Sequence, residues 1–150
     1  METPTPPAPL TILVVEDNPE DLYIMNWVLK AHDFAYELQV IDNGDHAIDY
    51  VNQLAYEERR RSPTIVLLDL HLPQVNGKEV LRQIKTMPHV SDIPVVIVTS
   101  STNPADQQET LALGADAYFV KPYHLHEFLW LGEVMKHLVS GDPPSFTQHI

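Results

Sequence analysis

Ile65-Val66-Leu67-Leu68 runs without a polar interruption straight into Asp69. A strand with one face in water alternates apolar and polar residues, so an unbroken run of this kind belongs in a sheet covered on both faces. Asp69 tightens the constraint. An isolated charge in an apolar interior is costly even after relaxation, so this carboxylate must be paired, metal-bound or at the mouth of the strand. The residues after it favour the mouth. Pro73 in His71-Leu72-Pro73 lacks the N–H that a central ladder needs, and Asn76-Gly77 reads as a turn before a new amphipathic run.

The same pattern recurs along the chain. Thr11 to Val15 is a β-branched strand ending in Glu16-Asp17, and Asn18-Pro19-Glu20-Asp21 supplies an N-cap, a first-turn proline and first-turn acids. The helix that follows buries Leu22, Met25, Val28 and Leu29. "YELQVI" is a second strand, and "NGDHAIDYVNQLAYEERRR" a second helix with Ala47, Ile48, Val51 and Leu54 or Ala55 inward. Thr64 to Leu68 is strand three, and Lys78 to Thr86 a helix facing the core through Val80, Leu81 and Ile84. Pro94 to Val98 is strand four. Asn103-Pro104-Ala105-Asp106 repeats the cap signature, and Gly114 suits a left-handed helix C-terminus. Tyr118 to Val120 and His124 to Val139 complete five strand–helix pairs. Short β-branched strands alternating with capped helices predict an α/β fold, a doubly wound five-stranded parallel sheet with five helices.

Composition removes other classes. The 150 residues suit one domain, read as a proline-rich lead (1–9), a folded unit (10–140) and a tail (141–150). The formal charge of −12 argues against a nucleic-acid surface. The basic run Arg59-Arg60-Arg61 is the solvated end of a helix. No apolar run approaches the ~20 residues of a membrane span, and the N-terminus lacks a secretory pattern. The absence of cysteine excludes disulfides and thiol chemistry and fits a cytoplasmic protein.

In doubly wound sheets ligands bind beyond the carboxyl ends of the strands. Glu16-Asp17, Asp69, Thr99-Ser100 and Lys121-Pro122 stand at those ends. Two carboxylates ~4 Å apart at an effective dielectric of ~20 repel by about 4 kcal/mol, so three of them call for a cation. A hard divalent ion such as Mg²⁺ suits an all-oxygen set, held here by Glu16, Asp17 and Asp69. Zinc or copper does not, without cysteine or histidine at ligand spacing. Asp69 is then the nucleophile for a phosphoryl group, forming an acyl phosphate. The metal and Lys121 neutralise the transferring oxygens, and Thr99 donates a hydrogen bond to one.

"VVEDN", "LLDLHLP…NG", "VIVTSS" and "GADAYFVKP" resemble the signature segments of response-regulator receiver domains, over about Leu10 to Val139. The resemblance implies a flavodoxin-like sheet and a phospho-acceptor at Asp69. It also implies a metal-binding pair Glu16-Asp17, a switch hydroxyl Thr99, the lysine Lys121 and a switch aromatic Tyr118 that turns into the space Thr99 leaves. The carbonyl of His71 would join the Mg²⁺ ligands. "EDNPED", "GKEVLRQIKTMP", "IPVVIVTSST" and "KPYHLHEF" further resemble single-domain regulators phosphorylated by phytochrome-linked histidine kinases. His71, where asparagine is common, and Ser101 depart from the pattern at positions lining the water's approach, which bears on phosphoryl lifetime. Weak self-phosphorylation and self-dephosphorylation, without metabolic catalysis, are implied too.

"GDPPSFTQHI" after the last helix is short for an output domain, so output is expected through protein contact. On a wheel at ~100° per residue, the last helix carries more apolar residues than one core stripe needs. Leu125, Phe128, Gly132, Met135 and Val139 are assigned to the core, and Trp130, Val134 and Leu138 to the far side as a homodimer face. Two alternatives compete: a Mg²⁺-dependent phosphatase with an aspartyl nucleophile, and a pseudo-receiver that only dimerises. The phosphatase would place a second aspartate two residues after the first, where this chain has His71.

Overall fold

A computed structural model describes residues 9–57 and 62–140. The arginine run, nearly all of the proline-rich lead and the tail from 141 lie outside the described residues. Five strands form one parallel sheet: β1 (Leu10–Val15), β2 (Tyr36–Ile41), β3 (Ile65–Leu68), β4 (Val95–Thr99) and β5 (Ala117–Val120), in the order β2-β1-β3-β4-β5. The helices are α1 (Pro19–Ala31), α2 (Gly44–Tyr56), α3 (Gly77–Thr86), α4 (Pro104–Ala112) and α5 (Leu129–Ser140).

Alternation along the strands divides the core into two layers. Leu13, Val15, Val66, Leu68, Val95, Ile97 and Tyr118 pack with α2 and α3 residues such as Val51, Leu54, Val80 and Ile84. Ile12, Val14, Ile65, Leu67, Val96, Val98 and Phe119 face the other way, onto Met25, Val28 and Leu29 of α1 and Leu131 and Met135 of α5. The local signals act where the sequence places them. Asn18 and Asn103 accept from the N–H of Glu20 and Ala105 in the first turns they cap. Gly114 adopts φ +106°, the left-handed conformation that favours glycine.

The expected last helix differs at its start. Leu125–Phe128 is a 3-10 turn, tighter than the α-helix, and α5 begins only at Leu129. A single α-helical wheel run from His124 therefore does not describe this segment. Leu125, assigned to the core, is 54% exposed, and Val139 is exposed as well. Val134, assigned to an outer dimer face, is 3% exposed inside the core, and Leu138 packs partly buried against the same cluster. The buried arc is wide because α5 is gripped on two sides, by the sheet and by α1. His32 at the end of α1 reaches the Leu129 carbonyl at 2.8 Å, and a side chain at Gly132 would strike its ring. Trp130 alone of the three keeps substantial exposure, 37%. Val134→Ala is expected to lower unfolding free energy by about 2 kcal/mol, from lost transfer energy plus the cavity left behind. Urea denaturation checks this; an unchanged midpoint would return Val134 to the surface.

Candidate functional site

Sheet register assembles the rim. Val15 pairs with Leu68, so the residues that follow, Glu16 and Asp69, leave neighbouring strands side by side. Asp69 N–H donates to the Val15 carbonyl at 3.0 Å, and Glu16 N–H to the Ile41 carbonyl at 3.0 Å. On the far side Thr99 pairs with Val120, and Lys121 N–H donates to the Thr99 carbonyl at 2.7 Å. Parallel pairing brings every C-terminal strand end to one edge, which is why residues more than a hundred positions apart meet there.

Carboxylate oxygens of Glu16, Asp17 and Asp69 lie within 4.8 Å of one another. Glu16 is 1% exposed and Asp69 5%, whereas Asp17 is open to solvent. Lys121 Nζ spans the cluster, 3.2 Å from Glu16 Oε1, 3.1 Å from Asp69 Oδ2 and 2.7 Å from Asp21 Oδ2. His71 N–H donates to Asp69 Oδ1 at 3.1 Å.

This electrostatics is unbalanced without a second cation. Burial, then the hydrogen bond with Asp69 and its charge, push the Glu16 carboxyl up to about 9 against the pull of Lys121. Burial also disfavours ionised Asp69. The hydrogen bond with Glu16, the charge of Lys121 and the His71 N–H outweigh it and hold Asp69 below the usual carboxylate range. Burial opposes the Lys121 ammonium likewise, but Asp21, Asp69 and Glu16 together raise it. Glu16 Oε2 is buried with no hydrogen-bond partner. A buried carboxylate oxygen left unpaired beside two more carboxylates is the donor set that a hard, oxygen-loving divalent cation requires, so these residues fit Mg²⁺ or Mn²⁺.

Thr99 is fully buried, and its Oγ1 accepts from the Ser101 N–H at 3.3 Å. Tyr118 stands inward in this structure: it is 2% exposed, and its hydroxyl donates to the Ser101 carbonyl at 3.0 Å. Asp21 is the site residue that the sequence reading missed, taken only as a first-turn acid of α1. The available signal was its place three residues into a helix that starts directly behind Asp17, which swings it over the rim.

Comparison with known proteins agrees with this construction. Residues 12–130 match the response regulator receiver domain family. Response regulator Rcp1 of Synechocystis is 35% identical over 119 residues, covering 79% of this chain and 81% of Rcp1. The Mn²⁺-bound form of Rcp1 superposes with a TM-score of 0.76 at 30% identity, over 95% of this chain and 99% of that one. The phosphorylated cyanobacterial phytochrome response regulator RcpA gives a TM-score of 0.79 at 28% identity, over 93% of this chain and all of RcpA. With the family's residues matched along most of its length, and strand ends that gather the acidic cluster and its lysine, this chain belongs to the response regulator receiver domain family.

Proposed function

We propose that this chain accepts a phosphoryl group on Asp69 from a phosphohistidine of a phytochrome-linked sensor histidine kinase and signals through protein contacts. One observation carries the reading: Glu16, Asp17 and Asp69 converge within 4.8 Å, with Lys121 bridging the two buried ones. The low carboxyl pKa keeps Asp69 ionised at neutral pH, as a nucleophile must be. Asp69 attacks phosphorus, the P–N bond breaks, and the imidazole departs with a proton. Lys121 stays charged throughout and neutralises the oxygens that collect negative charge, and Thr99 donates its hydroxyl proton to one of them. Glu16, Asp17, Asp69 and the His71 carbonyl would hold Mg²⁺, which would supply charge neutralisation across the phosphoryl oxygens. Phosphorylation replaces the single charge of ionised Asp69 with roughly 1.5 to 2 negative charges on the phosphoryl group, a net gain of about one at most. These spread over three acceptor oxygens at a buried rim, and the rearrangement of Thr99 passes this to the α4–β5–α5 face. Weak phosphorylation by small phosphodonors and slow self-hydrolysis follow from the same groups.

Beside the rim, Pro19, Glu20, Tyr23, Ile24 and Leu125 line an open, mostly apolar groove of about 480 Å³, suited to a kinase helix. A homodimer uses the outer face of α5 around Trp130. No helix among the described residues is long and apolar enough to cross a membrane.

Incubation with labelled acetyl phosphate, or with beryllofluoride, in Mg²⁺ tests the assignment. Stable labelling that Asp69→Asn abolishes supports it; labelling that survives the substitution removes Asp69 as the acceptor, and rapid phosphate-ester turnover makes the protein a phosphatase. Trp130→Glu is expected to halve the sedimenting mass, and an unchanged mass would dismiss the α5 face.

A further inference from the structure

The loop after Thr99 is fixed by bonds that reach well beyond the phosphoryl site. Ser101 commits every polar atom it has. Its N–H donates to Thr99 Oγ1 at 3.3 Å, and its carbonyl accepts from Tyr118 at 3.0 Å. Its hydroxyl donates to Asp106 Oδ2 at 2.5 Å and accepts from the Asn103 N–H at 3.3 Å. Asp106, in the first turn of α4, is held in turn by Lys78 at the start of α3, 2.7 Å away. Lys78 also reaches Glu109, one turn further along α4, at 2.7 Å. The hydrogen bond from Lys78, then that from Ser101, holds the Asp106 carboxyl below the usual range, so the bonds are charge-assisted. A continuous polar chain thus runs from α3 through α4 and Ser101 to Thr99 and Tyr118.

The buried ring gives this chain its direction. Tyr118 occupies the interior with its hydroxyl on the Ser101 carbonyl, so whatever holds the Ser101 loop also holds the ring. A bound state is favoured by whatever populates its arrangement beforehand. We propose that Lys78 and Asp106 are positioning residues, forming a latch that holds the Ser101 loop so that Thr99 and Tyr118 stand prepared for phosphoryl occupancy at Asp69. This rests on the phospho-acceptor reading above. It also makes the latch a point where contacts on α3 or α4, away from the rim, tune acceptance.

The test measures beryllofluoride affinity in Mg²⁺ for the full chain, Lys78→Met, Asp106→Asn, the double variant and Lys78→Arg. Tyr118 exposure is followed by ¹⁹F NMR of fluorotyrosine-labelled protein, assigned with Tyr118→Phe. Lys78→Met and Asp106→Asn are expected to weaken binding about three- to tenfold, with the double variant no weaker than either single one. Lys78→Arg is expected to restore wild-type affinity, and the Tyr118 resonance to shift toward solvent in the two weakened variants. Unchanged or tighter binding in Lys78→Met and Asp106→Asn would overturn the latch while leaving the phospho-acceptor intact. So would equal weakening in Lys78→Arg, which would mean a packing effect. If the wild-type protein bound no beryllofluoride, the underlying functional reading would fail and take the latch with it.

Discussion

Lys121→Met is expected to remove about 3–5 kcal/mol of unfolding free energy at neutral pH without divalent cations, and to slow phosphorylation by about a hundredfold or more. The side chain is the single cation touching Glu16, Asp21 and Asp69 among the described residues, at 3.2, 2.7 and 3.1 Å. Methionine keeps much of the stem's volume, so the loss is electrostatic, a buried carboxylate left without its partner. The pH dependence carries the diagnosis. Asp69 has a depressed pKa in the folded protein, so its contribution is present above the unfolded value near 3.8 and is lost as pH falls through the folded one. Lys121 has a raised pKa, so its contribution is full below the unfolded value near 10.5 and disappears only as pH climbs past the folded one. Glu16, raised to about 9, ionises only in the alkaline range, where Lys121 offsets its charge. The gap between wild type and variant is therefore open at neutral pH, widens through the alkaline range and closes in acid. Millimolar Mg²⁺ is expected to narrow it, since the ion replaces part of the missing charge. Urea denaturation across pH, with and without Mg²⁺, measures both effects; a gap independent of pH would show that Lys121 acts through packing.

Much of this arrangement is legible in the chain itself, for reasons that can be located. The β-branched runs and the caps at Asn18 and Asn103 are local signals, and local signals fix which elements form and where they begin. The rim follows because parallel strands leave their C-terminal ends together, so Glu16, Asp17, Asp69, Thr99 and Lys121 needed no knowledge of packing. What the chain does not reveal depends on angles between elements. Asp21 reaches Lys121 only because α1 leans over the strand ends. Val134 is buried because α1 grips α5, and Leu125 stands exposed at the first residue of the 3-10 turn that precedes α5. The buried ring of Tyr118 and the bond from Lys78 to Asp106 likewise come from tertiary placement, which no spacing of residues encodes.

The loop that carries His71 and Pro73 shows how close packing supports the chemistry, and it yields the second large effect. Gly77 opens α3 with its N–H donating to the Leu70 carbonyl at 3.0 Å. A Cβ built there would overlap the Asp69 carbonyl oxygen and stand 2.7 Å from Leu70 Cα. Gly44, at the start of α2, grips the same loop from the other side: its N–H donates to the Pro73 carbonyl at 3.2 Å, and its Cβ would overlap the Val75 backbone. Alanine at a helix position ordinarily gains up to about 1 kcal/mol over glycine. Here backbone must move to admit it, and overpacking of that kind costs about 1–3 kcal/mol, so Gly77→Ala is expected to be destabilising on balance. The moving atoms belong to Asp69. Misplacing a reacting group by about 1 Å is enough for a hundredfold loss of rate, so phosphorylation of Gly77→Ala should fall far more steeply than stability. Gly44→Ala displaces Val75, six residues beyond the acceptor, and should cost comparable stability with a smaller loss of phosphorylation. Paired measurements of urea midpoint and labelling rate separate the two. Equal rate losses at equal stability would mean that the loop transmits strain as one rigid piece and that the approach of Gly77 to Asp69 has no special part in aiming the carboxylate.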